Sequence, residues 1–249
     1  MNRELEGKNA IVTGANRGIG NAIVKKLAEN GANIWACARQ KSEEFEAEMK
    51  GIALSNNVVI EPVYFELNSE ESIKKGFEAI YKQKKDIDIL VNNAGIGHAA
   101  SFPMTASKTM TEVFGINTFA PMILTRYVLK RMMHQKSGAI INIASTAGMD
   151  SNAGNCIYGP SKAALISFSK CLGAEMAPLG IRVNAVAPGA SDTEMVGIFA
   201  NIAKEHLLHR SAMERLANPE EIAEVVAFLA SSKASFVNGQ VIRVDGGAQ

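Results

Sequence analysis

Short apolar runs alternate with longer amphipathic segments along the chain, and this alternation constrains the fold more than any other feature. The runs are almost continuously apolar, as parallel strands are when helices cover both faces of their sheet. Seven runs predict strands: NAIVTG, ANIWACA, NVVIEPVYF, DILVNNAG, GAIINIAS, IRVNAVAPG and GQVIRVDGG. The predicted helices cover residues 18–30, 42–54, 69–84, roughly 108–134, roughly 158–177 and 219–230. The sequence therefore predicts one α/β domain over residues 1–249, a Rossmann-like doubly wound parallel sheet in the order 3-2-1-4-5-6-7.

The segment of residues 190–216 breaks this rhythm, because it is too long for an ordinary connection between a strand and a helix. It begins after the carboxyl end of the sixth predicted strand, and open α/β sheets bind their ligands at that edge. We therefore expect residues 190–216 to form a lid over a substrate.

The composition excludes several classes of partner. A formal net charge of +1 gives no bias toward nucleic acid or anionic membranes. The three cysteines show no C-x-x-C pairing, which argues against both a metal site and a disulfide framework. No apolar run approaches the roughly 20 residues that span a bilayer, and the start of the chain has no signal-like segment. We expect a cytoplasmic protein that binds no metal, nucleic acid or membrane.

The stretch TGANRGIG, residues 13–20, joins the first predicted strand to the first predicted helix. Glycines at 14, 18 and 20 allow a sharp turn whose backbone approaches a pyrophosphate and presents the N–H groups of a helix N-terminus to it. Glycines between a strand and a helix also serve packing alone, so the pattern by itself leaves both interpretations open.

A second set of residues suggests proton transfer. Tyr158 and Lys162 lie one helical turn apart on the same face of a predicted helix. A nearby ammonium favours the phenolate, so we expect Lys162 to lower the pKa of Tyr158 toward neutrality. Ser145 ends the fifth predicted strand, where its hydroxyl can bond a substrate oxygen. A buried tyrosine beside a surface lysine, and a serine that caps a turn, are the alternatives for these residues taken singly.

Together with NNAG at residues 92–95, YGPSK at 158–162, APG at 187–189 and the final VDGG, these motifs resemble those of the short-chain dehydrogenase/reductase family, in its compact form. The resemblance covers essentially the whole chain. It implies an enzyme that transfers a hydride between a nicotinamide cofactor and a C=O or CH–OH group. It also implies a catalytic tetrad of Asn117, Ser145, Tyr158 and Lys162, in which the asparagine positions a water that links to the lysine.

The expected cofactor is NADP(H). NAD enzymes commonly place an acid at the end of the second strand, but here Ala38 stands at that position and Arg39 follows. Arg17 in the glycine turn is a second basic residue, and guanidinium groups match phosphate oxygens in charge and geometry. The complete expected set of cofactor-binding residues is Gly14, Asn16, Arg17, Gly18, Ile19, Gly20, Arg39, Glu66, Leu67, Asn93, Ala94, Gly95, Tyr158, Lys162, Pro188, Gly189 and Thr193.

Within the family, the chain is most similar to 3-oxoacyl-(acyl-carrier-protein) reductases, in segments such as SKAALISFSK and NPEEIAEVVAFLAS. It departs from them at IGHAA after NNAG, and at Ala174, where they usually carry an arginine that docks the acidic carrier. A reductase or dehydrogenase of a small alcohol, ketone or sugar derivative therefore stays open, as does a catalytically silent cofactor-binding regulator. The candidate substrate residues are His98, Met149, Asn152 and Met195.

The helix that starts at Tyr158 suggests assembly. Apolar residues spread around most of its circumference, and a helix of that kind is usually buried on every side. The sheet covers only one side, so a second subunit is the expected cover, with Phe168 and Leu172 as contacts. A second interface at the last strand and helix, as in the family, makes the expected assembly a homotetramer. The alternative is that the preceding long helix covers this surface within one chain.

Overall fold

A computed structural model describes residues 3–192 and 211–248 of the chain. In chain order, its strands are β1 Asn9–Thr13, β2 Asn33–Ala38, β3 Ile60–Tyr64, β4 Ile89–Asn92, β5 Gly138–Ile143, β6 Ile181–Pro188 and β7 Val241–Val244. Its α-helices, numbered over the described residues, are α1 Gly18–Glu29, α2 Glu43–Asn56, α3 Glu70–Tyr81, α4 Ser107–Phe114, α5 Ala120–Gln135, α6 Tyr158–Met176 and α7 Pro219–Ala230.

All seven of these strands lie in one sheet in the order β3-β2-β1-β4-β5-β6-β7, and every neighbouring pair is parallel. The sequence-based prediction of a doubly wound parallel sheet is therefore confirmed. The chain moves outward in one direction from β1 to β3 and in the other from β4 to β7. The order reverses between β1 and β4, and this switch point is where open α/β sheets bind ligands.

Helices cover both faces of the sheet, which explains why the strands are apolar throughout. One core cluster joins residues of β1, β2, β4 and β5 to α1, α2 and α7, with Leu27, Met49 and Ile222 among its buried members. The other joins the opposite sheet face to α3, α5 and α6 and includes Ile73 and Leu124. Both clusters therefore fix the strand ends that form the ligand-binding edge.

The predicted helix over roughly 108–134 is not one regular helix. It is divided into α4 and α5 by a π-helical turn, Gly115–Phe119, in which the N–H of Ala120 bonds the carbonyl five residues earlier. Pro121 follows this turn and has no N–H to donate to the carbonyl of Asn117, as a regular α-helix requires. The widened turn is thus a consequence of local sequence, and it contains the candidate site residue Asn117.

The proposed apolar surface of α6 is also corrected by the structure. Leu172 is only 8 % exposed because it belongs to the intrachain core, and Phe168 packs against that same core. The exposed stripe of α6 consists of Pro160, Ser167, Lys170, Cys171, Ala174 and Glu175. For Leu172 the alternative interpretation therefore holds: this side chain is buried within its own chain, because α5 and the sheet contribute to the core that contains it.

The two ends of the expected lid lie side by side. Ser191 and Ala217 form a parallel bridge, Asp192 donates to the Ala217 carbonyl at 2.9 Å, and Ala217 donates to Ala190 at 3.0 Å. Residues 193–210, and with them Thr193 and Met195, lie outside the described residues. The lid itself thus stays a prediction.

The described residues contain neither a membrane-spanning helix nor a cluster of metal-binding side chains. Within residues 3–192 and 211–248, no helix combines the length and apolarity that crossing a membrane requires. The same ranges hold no group of three or more His, Cys, Asp or Glu side chains placed to bind a metal ion.

Candidate active site

A cleft with a cavity volume of about 490 Å³ opens at the carboxyl edge of the sheet, at the switch point between β1 and β4. It contains nearly every predicted site residue that the structure describes. The predicted residues in its lining are Gly14, Asn16, Arg17, Gly18, Ile19, Gly20, Arg39, Glu66, Leu67, Asn93, Ala94, Gly95, His98, Ser145, Asn152, Tyr158, Lys162, Pro188 and Gly189.

The glycine turn brings the first helix against the end of β1. Gly14 and Gly18 have φ angles of +64° and +53°, which side chains rarely adopt. A Cβ on Gly20 would lie 2.8 Å from the carbonyl carbon of Gly14 and would overlap its oxygen and the side-chain amide of Asn93. Gly20 is therefore required because α1 starts directly against the turn that precedes it.

A network of short hydrogen bonds ties this turn to the end of β4. The Thr13 hydroxyl accepts from the backbone N–H groups of Asn93 and Ala94 at 3.0 and 3.1 Å. In return, the Asn93 side-chain amide donates to the carbonyls of Thr13 and Gly14 at 2.9 and 3.2 Å. The two strand ends on either side of the switch point are thus locked together. The sequence analysis missed Thr13, although its position at the strand end is the signal that could have found it.

These features fit a nicotinamide dinucleotide. The turn presents the N-terminus of a 12-residue helix, which favours a pyrophosphate through its N–H groups and its dipole. A side chain on Gly14 or Gly20 would fill the space from which the backbone approaches such a group. The cleft then continues past Asn93, Ala94 and Gly95 toward Tyr158 and Lys162.

Two arginines line the end of the cleft beside β2. Ala38 is buried at the last position of that strand, and the exposed Arg39 follows it. The exposed Arg17 lies in the glycine turn immediately before α1. Glu66 and Leu67 line the same end, and the backbone of Glu66 is fixed by a 2.9 Å bond to the Ser72 hydroxyl. The resulting surface is suited to an anionic group attached to the ribose.

Lys162 lies at the inner end of the cleft. Its side chain is 4 % exposed, and its ammonium donates to the Ile143 carbonyl at the end of β5, at 2.8 Å. Burial lowers the pKa of Lys162 to about 8. The approach to it is narrow, because a Cβ on Gly95 would lie 3.2 Å from the Lys162 nitrogen. The fold thus holds an ammonium group, mostly protonated at neutral pH, at the base of the cleft.

Tyr158 and Ser145 face each other across a close contact between α6 and the turn after β5. The Ser145 hydroxyl also accepts from the N–H of Ala147 at 3.1 Å. Gly148 and Gly159 allow the contact, since a Cβ on Gly148 would lie 2.7 Å from the Ala163 nitrogen and one on Gly159 would lie 2.6 Å from the Ala147 oxygen. The glycines therefore determine how closely the serine and the tyrosine approach.

Burial raises the pKa of Tyr158, and the hydrogen bond with Ser145 opposes that rise. This differs from the sequence-based expectation that Lys162 lowers this pKa. The Lys162 nitrogen lies 6.0 Å from the centre of the Tyr158 ring and is itself buried. Among the protein's own groups, desolvation of the phenolate therefore has the largest effect on the pKa of Tyr158.

Asn117 lies behind the cleft rather than in its lining. Its side chain is fully buried and accepts from the N–H of Ile96 at 2.8 Å. It donates to the Ile96 carbonyl at 2.9 Å and to the Ser161 hydroxyl at 3.1 Å. The side chain therefore fixes Ile96 in the cleft wall, and its expected task of positioning a water that links to Lys162 stays a prediction.

The candidate substrate residues have different positions. His98 lies 3.2 Å from the Thr105 hydroxyl, and Asn152 lies in the loop before α6. Among the described residues the lining omits Met149, which is 44 % exposed, so this candidate is not brought into the site. Asn155, Asp245 and Ser211 line the cleft and were not predicted. Asp245 belongs to the final VDGG motif, whereas local sequence pattern gives no signal for Asn155 and Ser211, because the fold alone brings them to the cleft.

A cleft at the switch point of a doubly wound sheet, ending at a buried lysine and a hydrogen-bonded serine–tyrosine pair, defines a nicotinamide-dependent oxidoreductase. Residues 14–249 match the family described as Enoyl-(Acyl carrier protein) reductase. The chain belongs to the short-chain dehydrogenase/reductase family.

Two reductases are similar to this chain over nearly their whole length. The chain is 40 % identical over 247 residues to the 3-oxoacyl-[acyl-carrier-protein] reductase FabG of Aquifex aeolicus, covering 99 % of each chain. It is 36 % identical over 249 residues to the reductase of the same name from Escherichia coli, covering 98 % of each.

Solved structures show the same fold. One from Agrobacterium tumefaciens, described as a candidate gluconate dehydrogenase, has a TM-score of 0.93 at 30 % identity, covering 99 % of this chain and 98 % of that one. Another, from Beutenbergia cavernae, is described as a candidate NAD(P)-dependent gluconate 5-dehydrogenase with bound NADP. It has a TM-score of 0.92 at 32 % identity and the same coverage.

Proposed function

We propose that this protein is an NADPH-dependent reductase that converts a ketone to a secondary alcohol, with a 3-oxoacyl thioester as the foremost substrate class. The observation that carries the reaction type is the Ser145–Tyr158 pair above the buried ammonium of Lys162. The substrate class is supported by relatives named as 3-oxoacyl-[acyl-carrier-protein] reductases, at 35–40 % identity over 98–99 % of the chain.

The three side chains have complementary tasks in this reaction. The cofactor, when bound, supplies a hydride to the carbonyl carbon. Tyr158 donates its phenolic proton to the carbonyl oxygen, and Ser145 bonds that oxygen as negative charge develops on it. A raised pKa keeps Tyr158 protonated at neutral pH, as a proton donor requires. The phenolate that forms is then stabilised by the Ser145 hydroxyl and by the positive charge of Lys162.

The preference for NADPH over NADH rests on the charges at the end of β2. A carboxylate at position 38 would repel a 2′-phosphate, but Ala38 carries no charge. Arg39 and Arg17 supply cations from two separate loops of the cleft lining. Two guanidinium groups without an opposing acid at the strand end favour a phosphorylated ribose.

A second candidate function is reduction or oxidation of a small polyhydroxylated ketone or alcohol. The observation that favours it is the polar substrate side of the cleft, where His98, Asn152 and Asn155 lie. Two solved relatives are described as candidate gluconate dehydrogenases. The exposed Ala174 on α6 also provides no cation for an acidic carrier protein.

One panel of substrates distinguishes these functions. The purified protein is mixed with NADPH and, separately, with acetoacetyl-CoA, an acetoacetyl carrier protein and several keto sugars, while the absorbance of the reduced nicotinamide is followed. We expect the highest kcat/KM with an acetoacetyl thioester. A higher value with a keto sugar supports the second candidate, and NADPH binding without turnover on any substrate supports a silent regulator.

Assembly into a homotetramer remains part of this proposal, but the supporting surface moves from α6 to α5. Phe119 and Met133 are exposed apolar side chains that share one face of this helical region. Exposed apolar side chains of this size are residues that contact with a second subunit would bury, and they are the support for this surface. Light scattering at micromolar concentration tests the assembly, and a stable, active monomer contradicts it.

We also propose a cytoplasmic location, with a small carbonyl compound, free or bound to CoA or a carrier, as the partner. The support is the absence of a membrane-spanning helix among the described residues and the use of a diffusible cofactor. Cell fractionation tests the location, and recovery with the membrane pellet contradicts it.

A further inference from the structure

A bidentate ion pair joins the last strand to the loop in front of the catalytic helix. Arg243 on β7 donates from both terminal nitrogens to the two carboxylate oxygens of Asp150, each at 2.8 Å. Its third guanidinium nitrogen, Nε, donates to Asp245 at 2.6 Å. We name this arrangement of Asp150, Arg243 and Asp245 the carboxylate clasp.

The position of Arg243 follows from strand alternation. Ile242 and Val244 pack against the core cluster under α1 and α7. Val241 packs with Ala144 and Ile166 on the other face, so Arg243 also projects toward the α6 side. Arg243 pairs in register with Ala187 of β6, one residue before Pro188 in the cleft wall. The guanidinium thus lies at the ligand-binding edge, facing the loop that precedes α6.

The two carboxylates belong to different parts of the cleft. Asp245 lines the cleft, and its side chain is 8 % exposed. It packs closely against Gly189, because a Cβ added to Gly189 would lie 2.8 Å from the Cβ of Asp245. Asp150 opens the loop of residues 150–157, which leads from the turn after Ser145 to the start of α6. Arg243 therefore connects the wall on the Pro188–Gly189 side to the loop on the substrate side.

The loop carries Asn152 and Asn155 in the cleft lining and ends one residue before Tyr158. It is fixed to its surroundings by the bond from Ala100 to the Gly154 carbonyl at 3.0 Å and by that from Gly159 to Asn155 at 2.9 Å. Both of these contacts are in its second half. At its start, the Asp150 N–H bonds to the Thr146 carbonyl in the turn just before it, and the clasp ties this end of the loop to the sheet.

We propose that Arg243 and Asp150 are positioning residues that hold this loop, and with it Asn152 and Asn155, in the geometry that accepts the carbonyl substrate. The proposal rests on the proposed function, because it assigns the loop to substrate binding. A bidentate guanidinium–carboxylate pair fixes direction as well as distance, which is what a positioning role requires. Nothing in this role requires the clasp to touch the substrate.

Three variants test the clasp. Asp150→Ala removes the tether and leaves Arg243 paired with Asp245, so no buried carboxylate loses its partner. Asp150→Glu keeps a carboxylate and serves as the conservative rescue. Glu70→Ala is the matched control, because it removes a carboxylate 2.7 Å from Arg126 on the exposed surface, outside the cleft lining.

In Asp150→Ala we expect the KM for the ketone to rise, or kcat/KM to fall, by about tenfold, as a small misplacement of substrate-positioning groups produces. The Kd for NADPH should stay within about twofold. Hydrogen–deuterium exchange should become faster in the peptide covering residues 150–157. Asp150→Glu should recover most of the loss, and Glu70→Ala should change none of these values.

Two results overturn the proposal: unchanged exchange and KM in Asp150→Ala, or a parallel loss of NADPH binding, kcat and thermal stability, which indicates a structural role. If the unmodified protein reduces no ketone, the proposed function fails. The exchange measurement still decides whether the clasp holds the loop, so the two failures are distinguishable.

Discussion

Replacing Gly20 with alanine tests the close packing of the glycine turn, and Gly51 provides a matched control. Both glycines lie in helices, α1 and α2, but a Cβ on Gly51 meets nothing within 4 Å. On Gly20 it would lie 2.8 Å from the carbonyl carbon of Gly14, about 1 Å inside an ordinary carbon–carbon contact. The obstacle is backbone, so the start of α1 must move away from the turn.

The expected free energies have opposite signs. Gly51→Ala should stabilise the protein by about 0.5–1 kcal/mol, the helix-propensity difference between the two residues. Gly20→Ala should destabilise it by about 1–3 kcal/mol, as overpacking of a tight contact does. For a chain of this size, that loss lowers Tm by about 2–12 °C. Because the turn approaches the pyrophosphate, we also expect the Kd for NADPH to rise at least about tenfold, or 1.4 kcal/mol.

Thermal unfolding at one fixed protein concentration gives the stability of both variants, since the Tm of a protein that self-associates depends on its concentration. Titration of nicotinamide fluorescence gives the Kd for NADPH. The reasoning fails if Gly20→Ala keeps the Tm of the unmodified protein and binds NADPH equally well. It also fails if Gly51→Ala weakens NADPH binding as much as Gly20→Ala, because the effect is then not local to the turn.

The other predictions concern the chemistry of the cleft. Tyr158→Phe should lower kcat by about 10²-fold or more while NADPH still binds, because the substitution removes the proton donor and little volume. Single-turnover absorbance measures the loss, and turnover beyond a few per cent of the unmodified enzyme contradicts the assignment. Arg39→Asp should reverse or erase the preference for NADPH, since the substitution removes a phosphate partner and adds a repelling charge. The ratio of kcat/KM for NADPH to that for NADH measures the preference, and equal values in the unmodified enzyme refute the cofactor assignment. The kcat/KM for reduction should fall as pH rises through about 8, because Lys162, whose pKa is lowered to about 8, loses its positive charge there. Lys162→Arg should remove this descending limb, and a flat profile between about pH 7 and 9 in the unmodified enzyme argues against the assignment.

The fold was predictable because its determinants are local. Each buried strand is a short apolar run, and the bounds of α7 match the prediction over residues 219–230, with Asn218 and Glu221 forming its capping box. The order of the strands follows from right-handed crossovers once the first strand is placed at the centre. Family membership and enzyme class are confirmed by the comparisons, since the motifs that predicted them are local as well.

The parts of the site that could not be predicted depend on distant contacts or on the path of the backbone. Asp150 and Arg243 are separated by 93 positions, and nothing in either local sequence indicates that they meet. The placement of Asn117 behind the cleft follows from the π-helical turn, which a helical periodicity does not distinguish from a regular helix. The pKa of Tyr158 depends on how deeply the fold buries the ring, and spacing to a lysine carries no information about burial.

The burial of Lys162 shows how the fold and the chemistry oppose each other. Lowering its pKa from 10.5 to about 8 means that folding disfavours the charged form at neutral pH, by on the order of 3 kcal/mol. The unfolded chain binds more protons at this residue between about pH 8 and 10.5, so the penalty that Lys162 imposes on folding is fully present below about pH 8 and disappears as pH rises across that window. The 2.8 Å bond to the Ile143 carbonyl offsets only part of this penalty. A buried methionine would avoid the penalty altogether, so stability does not explain an ammonium here. The position of Lys162 beside Gly95 and Tyr158 does, because a positive charge there stabilises the phenolate that remains when Tyr158 has given its proton to the substrate.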